Sequence, residues 1–356
     1  MIFFEPIIPY TALSWYGSLV VLLGVALYLL FAALFLNPRT GAVIHRPSGT
    51  RPAPSQAVLD GSLQLKIVTF NIADGYLFTA NRAERMRAIG ALLTKLDPDI
   101  VGLQESFVSG DRQILLQALA QSRLRYHADY PAATVGNGLL TLSAFPITEV
   151  QFHRFQNNNP WYKIHQGDWW AGKGVGLARI RLPSEQRIDF FNLHAQPDRR
   201  DPDNRKVRAL QMDEMAVFIN RSTSDVVPAL VVGDFNTSIE APDLRQAMNK
   251  ARMHPAVTLD TGIDAILAVD APGYEVKAID TIRLRGVTQG RAAAIFLDRA
   301  PTLVELWRMR CGPAETTPLS DHDGFMSTLS ITFSQNAPPT QKAGRTFQTD
   351  ERPPDA

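Results

Sequence analysis

Between Leu63 and Phe333, short apolar runs alternate with stretches whose apolar residues recur every three or four positions. Leu65-Lys-Ile-Val-Thr-Phe70, rich in β-branched and aromatic residues, predicts a strand. Met86, Ile89, Leu93 and Leu96 share one helical face, and Asp97-Pro98 stops that helix. Asp99-Ile-Val-Gly-Leu103 predicts a buried strand, as do Leu139 to Leu142, Gly176 to Leu182 and Ile188 to Leu193. A long helix is expected from about Asp203 to Asn220, with Ala209, Met212, Ala216 and Ile219 on one face. Ala229-Leu-Val-Val232 predicts a further strand. The alternation implies one α/β domain with buried sheets over residues 63–333.

The flanking segments read differently. From Pro6 to Pro38 no side chain is charged, and residues 17–36 are almost wholly Leu, Val, Ala and Phe. About 20 apolar residues span a bilayer as a helix, so residues 1–38 predict an uncleaved transmembrane anchor with Trp15 and Tyr16 at the interface. Arg39, Arg46 and Arg51 follow it, against Glu5 before it, which predicts that the domain after it lies on the cytoplasmic side. Residues 39–62, rich in Pro, Gly, Ser and Ala, read as a linker, and residues 334–356 as a disordered tail.

Charge narrows the range of partners. The formal net charge is +1 and charged residues make up 20% of the chain, without the positive excess that a dedicated nucleic-acid binder carries. A single cysteine, Cys311, excludes an internal disulfide.

Polar residues repeatedly sit where an apolar strand ends. Asn71 follows Ile67 to Phe70, Glu105 follows Ile100 to Gln104, and His194 ends Phe190 to Leu193. Asp234 and Asn236 follow Leu230 to Gly233, Asp280 follows Val276 to Ile279, and Asp321-His322 lies in Pro318 to Asp323. Strand ends that share a sheet system converge on one rim, where ligands bind. The inventory suits phosphate-ester hydrolysis. Glu105 is a hard oxygen ligand for Mg²⁺. The amides of Asn71 and Asn236 and the His194 ring can hold phosphoryl oxygens. His322 suits a general base, with Asp280 as the carboxylate that fixes its tautomer.

Together, Val68-Thr-Phe-Asn71, Asp99 to Glu105, Gly138 to Ser143, Asn192-Leu-His194, Val232-Gly-Asp-Phe-Asn236, Ile279-Asp280 and Ser320-Asp-His322 resemble the endonuclease/exonuclease/phosphatase superfamily typified by pancreatic deoxyribonuclease. The resemblance implies a four-layer α/β sandwich, two central β-sheets flanked by helices. It implies Mg²⁺ (with Mn²⁺ as the alternative ion) at Glu105, aided by Asn71, and phosphate contacts from His194 and Asn236. Asp234 would orient or activate the water, and His322 paired with Asp280 would act as base, with the division between them open. Asp321 would touch a metal or orient His194.

The segment Gln166-Gly-Asp-Trp-Trp-Ala-Gly-Lys-Gly-Val-Gly-Leu177 is similar to membrane-type neutral sphingomyelinases, as are Asn192 to Ala195, Asn204-Arg-Lys206 and Thr317 to His322. That similarity implies a membrane phospholipid or sphingolipid as substrate and the bilayer as partner. Lys173 would meet phosphate as a point charge, and Trp161, Tyr162, Trp169 and Trp170 would face the lipid interface or a quaternary ammonium head group. A nuclease or phosphoinositide phosphatase of the same fold, or a membrane-bound domain that only binds, are the rival readings.

Overall fold

In the computed structural model, apolar and polar positions alternate along the strands so that two β-sheets stack face to face, each covered outside by helices. The structure describes residues 20–27, 42–45, 58–59, 62–75, 79, 81–132, 136–160, 168–183, 185–257, 263–284 and 319–334.

The first sheet is ordered β1 (Val43–His45), β5 (Tyr126–Asp129), β6 (Leu140–Ser143), β4 (Ile100–Ser106), β3 (Ser62–Asp74), β14 (Gly324–Phe333) and β13 (Tyr274–Leu284), with β2 (Val58–Leu59) also paired to β3. The second is ordered β11 (Met253–Pro255), β12 (Asp264–Val269), β10 (Ala229–Asp234), β9 (Arg187–His194), β8 (Gly174–Arg181) and β7 (Ile147–Arg154). Helices α2 (Arg82–Leu96) and α3 (Ser109–Ala118) cover the first sheet, and α5 (Pro202–Ser222) and α6 (Pro242–Lys250) the second. A one-turn helix, α4 (Asp168–Ala171), precedes β8, and residues 20–27 form a separate helix, α1.

Period-two alternation decides which core each side chain joins. In β3, Leu63, Leu65 and Ile67 fill the space between the sheets, while Val68, Phe70 and Ile72 face α2 and α3. In β9, Ile188 and Phe190 point inward, and Phe191 and Leu193 pack on the α5 side. The same parity holds in β10, with Leu230 and Val232 inside, and in β12, with Ile266 and Ala268 inside. The sheets approach closely at Gly102 of β4, where a Cβ would lie 2.5 Å from Val232 Cγ2. Above that contact Asn192 ties the sheets together: its Nδ2 donates to Leu103 O (3.0 Å) and Leu140 O (3.3 Å), and its Oδ1 accepts from Gln104 Nε2 (2.7 Å). All three groups are buried, so these bonds work in a low-dielectric layer where leaving one unmade costs about 1–3 kcal/mol.

Two expectations change. The stretch read as linker contributes β1, whose residues pair in register with β5 (Ile44 to Ala128), while Ile44 packs on the central core. Edge pairing plus one half-buried side chain outweighs the loop-like composition around it. In α5 the buried face is Asn204, Arg208, Gln211, Met212, Met215, Ala216 and Ile219, and Ala209 is exposed. The helix is rotated because Arg208 and Gln211 point inward to hydrogen-bond loops at the sheet ends: Arg208 Nη1 to Asn236 O, and Gln211 Nε2 to Asn157 O. Of the expected transmembrane helix, only α1 is described; it is helical, with Val20, Val21, Leu22, Leu23, Val25 and Leu27 exposed. Among the described residues no helix is long and apolar enough to cross a membrane. The remainder of that run, residues 46–57 of the linker and residues 335–356 of the tail lie outside the described residues.

A buried carboxyl pair joins β3 to α3. Asp74 accepts from Val108 N–H (3.2 Å) and faces Asp111 in the first turn of α3, which Arg82 meets at 2.7 Å. Burial, then the Asp111 charge, push Asp74 up to about 7. Its folded value thus lies above its unfolded one, so stability falls as pH rises from about 4 to about 7. Asp74→Asn keeps the acceptor for Val108 and supplies a donor to Asp111. Thermal melts should show the variant gaining over wild type at pH 8, by roughly 2–4 °C per kcal/mol recovered, with no gain at pH 4. Equal melting temperatures at pH 8 would contradict the shift.

Candidate active site

Strand parity builds the site. Asn71 continues the inward face of Ile67, His194 that of Phe190, Asp234 that of Val232 and Asp264 that of Ile266. Each lies at the rim end of its strand, so four polar side chains meet where the apolar layer stops. Glu105 is out of step with that alternation, but its φ of 59° turns the end of β4. Gly138, at φ +74°, lies against this turn: Ser106 N–H donates to Gly138 O at 2.8 Å, and a Cβ on Gly138 would meet Glu105 Cα at 3.0 Å.

Asn71 Nδ2 is the hub. It donates to Glu105 Oε1 (3.1 Å) and Asp234 Oδ2 (3.0 Å), while its Oδ1 accepts from Ala73 N–H (3.0 Å). The amide oxygen, expected as a help to the metal, is thus turned to the backbone, and the nitrogen holds two carboxylates together. Asp234 Oδ1 in turn accepts from Asn236 N–H (2.9 Å), and Asn236 Nδ2 donates to Ala195 O (3.0 Å). Two imidazoles flank the same Asp234 oxygen: His194 Nε2 at 3.6 Å and His322 Nε2 at 3.7 Å. His194 Nε2 also lies 3.8 Å from Glu105 Oε1.

The expected partner of His322 is corrected. His322 Nδ1 meets Asp264 Oδ2 at 3.1 Å, and Asp280 is exposed on β13. The cause is a β-bulge between Ala278 and Asp280. Before it, even-numbered Tyr274 and Val276 point into the central core; after it, even-numbered Leu284 belongs to the outer core. One extra residue flips the face, so Asp280 points away from the rim. The sequence holds three Ile-Asp pairs, Ile188-Asp189 at the start of β9, Ile263-Asp264 and Ile279-Asp280. The signal that separates the last two is the unbroken apolar run Ala265 to Val269 after Asp264, against the polar-interrupted Thr281-Ile-Arg283 after Asp280.

Electrostatics assigns different protonation to the two histidines. Burial alone would lower His322, but Asp234, Asp264 and Asp321 outweigh it and hold the ring well above its ordinary value, with Nδ1–H donating to Asp264. His194 is held well below its ordinary value by burial and then by Lys173. Lys173 was expected to meet phosphate directly. Instead it is only 3% exposed, donates to His194 Nε2 and to Ala195 O (both 2.8 Å), and sits 3.5 Å from Asp168. Its charge therefore reaches the rim through His194. Burial lowers the lysine too, against the pull of Asp168 and Glu105. The expected aromatic cluster is only partly visible: Trp161 and Tyr162 lie outside the described residues, as does the side chain of Trp170. Trp169 has Arg154 over its ring at 6.0 Å.

The donor set fits a hard divalent cation. Glu105 is raised by burial and then by the Asp321 charge, a repulsion that a cation would relieve. Asp234, Asp264 and His322 also bring one ligand atom each within 4.8 Å of one another, a second place where an ion is compatible with the side chains.

The endonuclease/exonuclease/phosphatase family model matches residues 68–322. Human sphingomyelin phosphodiesterase 2 is 28% identical over 321 residues, covering 82% of this chain and 70% of that protein. A putative neutral sphingomyelinase of Drosophila melanogaster is 34% identical over 176 residues, covering 49% of this chain but 39% of the fly protein, so the similarity spans about two fifths of that relative's length. A mutant beta toxin from Staphylococcus aureus, solved with bound magnesium ions, superposes with a TM-score of 0.52 at 16% identity over 74% of this chain and 99% of the toxin, a likeness of fold. With the family match running from Val68 to His322, through every strand and loop that assembles the cluster around Asp234, the chain belongs to the endonuclease/exonuclease/phosphatase family.

Proposed function

We propose that this chain is a Mg²⁺-dependent phosphodiesterase that hydrolyses sphingomyelin or a related phosphosphingolipid to ceramide and a phosphorylated head group. The observation that carries the reading is the rim cluster: two carboxylates clamped by Asn71, flanked by one imidazole in the field of three acids and another governed by a buried lysine. The named relatives supply the lipid class.

In this reading Glu105 and Asp321 would hold the cation, which when bound would neutralise phosphoryl charge and relieve the field of acids around His322. Asp234 orients the water, its Oδ1 and Oδ2 fixed by Asn236 N–H and Asn71 Nδ2. His322 Nε2, the ring edge not engaged with Asp264, takes the proton as oxygen attacks phosphorus and the P–O bond to the ceramide oxygen breaks. Asn236 and the Lys173–His194 pair stabilise the phosphoryl oxygens and the departing alkoxide. The apolar run of residues 17–36, of which α1 is part, anchors the enzyme beside its substrate with the domain on the cytoplasmic side. The near-neutral chain favours this lipid reading over a nuclease.

The test offers sphingomyelin in mixed micelles with Mg²⁺, beside plasmid DNA and a phosphoinositide. Phosphocholine release that needs Mg²⁺ is expected, and cleavage of DNA or the phosphoinositide in its place would reject the substrate. Glu105→Gln should weaken Mg²⁺ binding, read by calorimetry, by more than about tenfold. An unchanged affinity would remove Glu105 from the metal site.

A further inference from the structure

A buried arginine connects the two halves of the site from behind. Arg85, on the inner face of α2, is 3% exposed. Its Nε and Nη2 both donate to Leu319 O (3.0 and 2.6 Å), Nη1 donates to Ala73 O (3.2 Å), and Nη2 also donates to Ile72 O. Ile72 and Ala73 directly follow Asn71, the clamp on Glu105 and Asp234. Leu319 directly precedes Ser320-Asp321-His322. One planar guanidinium therefore fastens the end of β3 to the loop that carries His322.

Ser320 makes the same connection from the other side: its Oγ donates to Asn71 O (2.6 Å) and accepts from His322 N–H (3.1 Å). The acids whose charges act on Arg85 are Asp74, Asp321, Glu105 and Asp111, yet its hydrogen bonds are spent on carbonyls. Such a geometry fixes backbone positions, which a lysine, with one point of attachment, reproduces in part only.

Resting on the functional reading above, we propose that Arg85 is a positioning residue, which sets the distance between the carboxylate clamp at Asn71 and the base His322 by bridging Ile72, Ala73 and Leu319. A displacement of about 1 Å at a reacting group costs on the order of a hundredfold in rate. Arg85→Met should therefore lower kcat on sphingomyelin about a hundredfold with lipid KM within about twofold, and Arg85→Lys should recover part of the loss. Ser320→Ala should lower kcat about tenfold with KM again unchanged, and it keeps the test alive where Arg85→Met does not fold.

The comparison is Arg123, which ties Asp97 and Asp99 at the opposite end of β4 with three hydrogen bonds. Arg123→Gln should lower the melting temperature without touching kcat. Hydrogen–deuterium exchange supplies a readout that needs no substrate: residues 319–322 should lose protection in Arg85→Lys and Ser320→Ala, and β10 should keep it. Unchanged exchange at 319–322, or faster exchange with wild-type kcat, overturns the proposal. A wild-type protein inactive on sphingomyelin would instead count against the substrate, and the exchange data would still decide whether Arg85 fastens the two segments.

Discussion

His322→Ala should lower phosphodiester turnover by about 10²–10⁴-fold, the range for removing a positioned general base, while leaving the melting temperature within a few degrees. The ring is partly buried and its Nε2 lies 3.7 Å from Asp234 Oδ2, beyond hydrogen-bond range, so little packing is lost. The pH profile carries more information than the loss itself. A base must be neutral to act, and the acids around His322 outweigh burial to hold it above its ordinary value. With Mg²⁺ present to relieve part of that field, wild-type kcat should rise with pH along a limb that belongs to His322. Residual activity of the alanine variant should lack that limb. A retained limb would transfer the role of base to Asp234, the other acid able to address the water.

The second large effect separates two aspartates that the sequence presents as near equals. Asp264→Asn should cost about 10²–10⁴-fold in turnover, because an amide facing Nδ1 favours the wrong tautomer and no longer stabilises the protonated ring. Asp280→Asn should stay within about twofold, since the carboxylate is exposed and beyond the bulge. Side-by-side assays of the two variants under saturating lipid decide the assignment. Equal losses would mean that β13 reaches the rim in the working enzyme, and an active Asp264→Asn would leave His322 without its orienting partner.

These two aspartates show what a linear reading can and cannot reach. Asn71, Glu105, His194 and Asp234 were legible because each ends an apolar strand, and His322 because it stands in the Ser-Asp-His loop just before another, so that the strand order brings them together. Period-two alternation then carries each side chain inward without further information. Asp280 failed because a bulge reverses that parity, and nothing in Val276 to Arg283 announces one extra residue. Lys173 is read from the sequence as meeting phosphate, because the glycines around it suggest a phosphate cradle, whereas in the folded chain its ammonium contacts His194 Nε2. Arg85 gave no signal at all. On a helix wheel it is a charge expected to face solvent, and only the tertiary fold supplies the three carbonyls that make its burial tolerable.

The short strand β1 limits how far the catalytic domain can wander. Leu36, where the apolar run ends, and Val43, the first residue of β1, are 7 positions apart, whereas Leu36 and Ser62, the start of β3, are 26 apart. A fully extended chain covers at most about 3.3–3.6 Å per residue, so pinning Val43 to the sheet edge shortens the leash from roughly 90 Å to roughly 25 Å. If α1 is held in a bilayer, that length keeps the rim within a few domain radii of its own membrane. Such an enzyme would process lipid in the sheet that anchors it far faster than lipid on a neighbouring vesicle, and the ratio would collapse if β1 were unzipped.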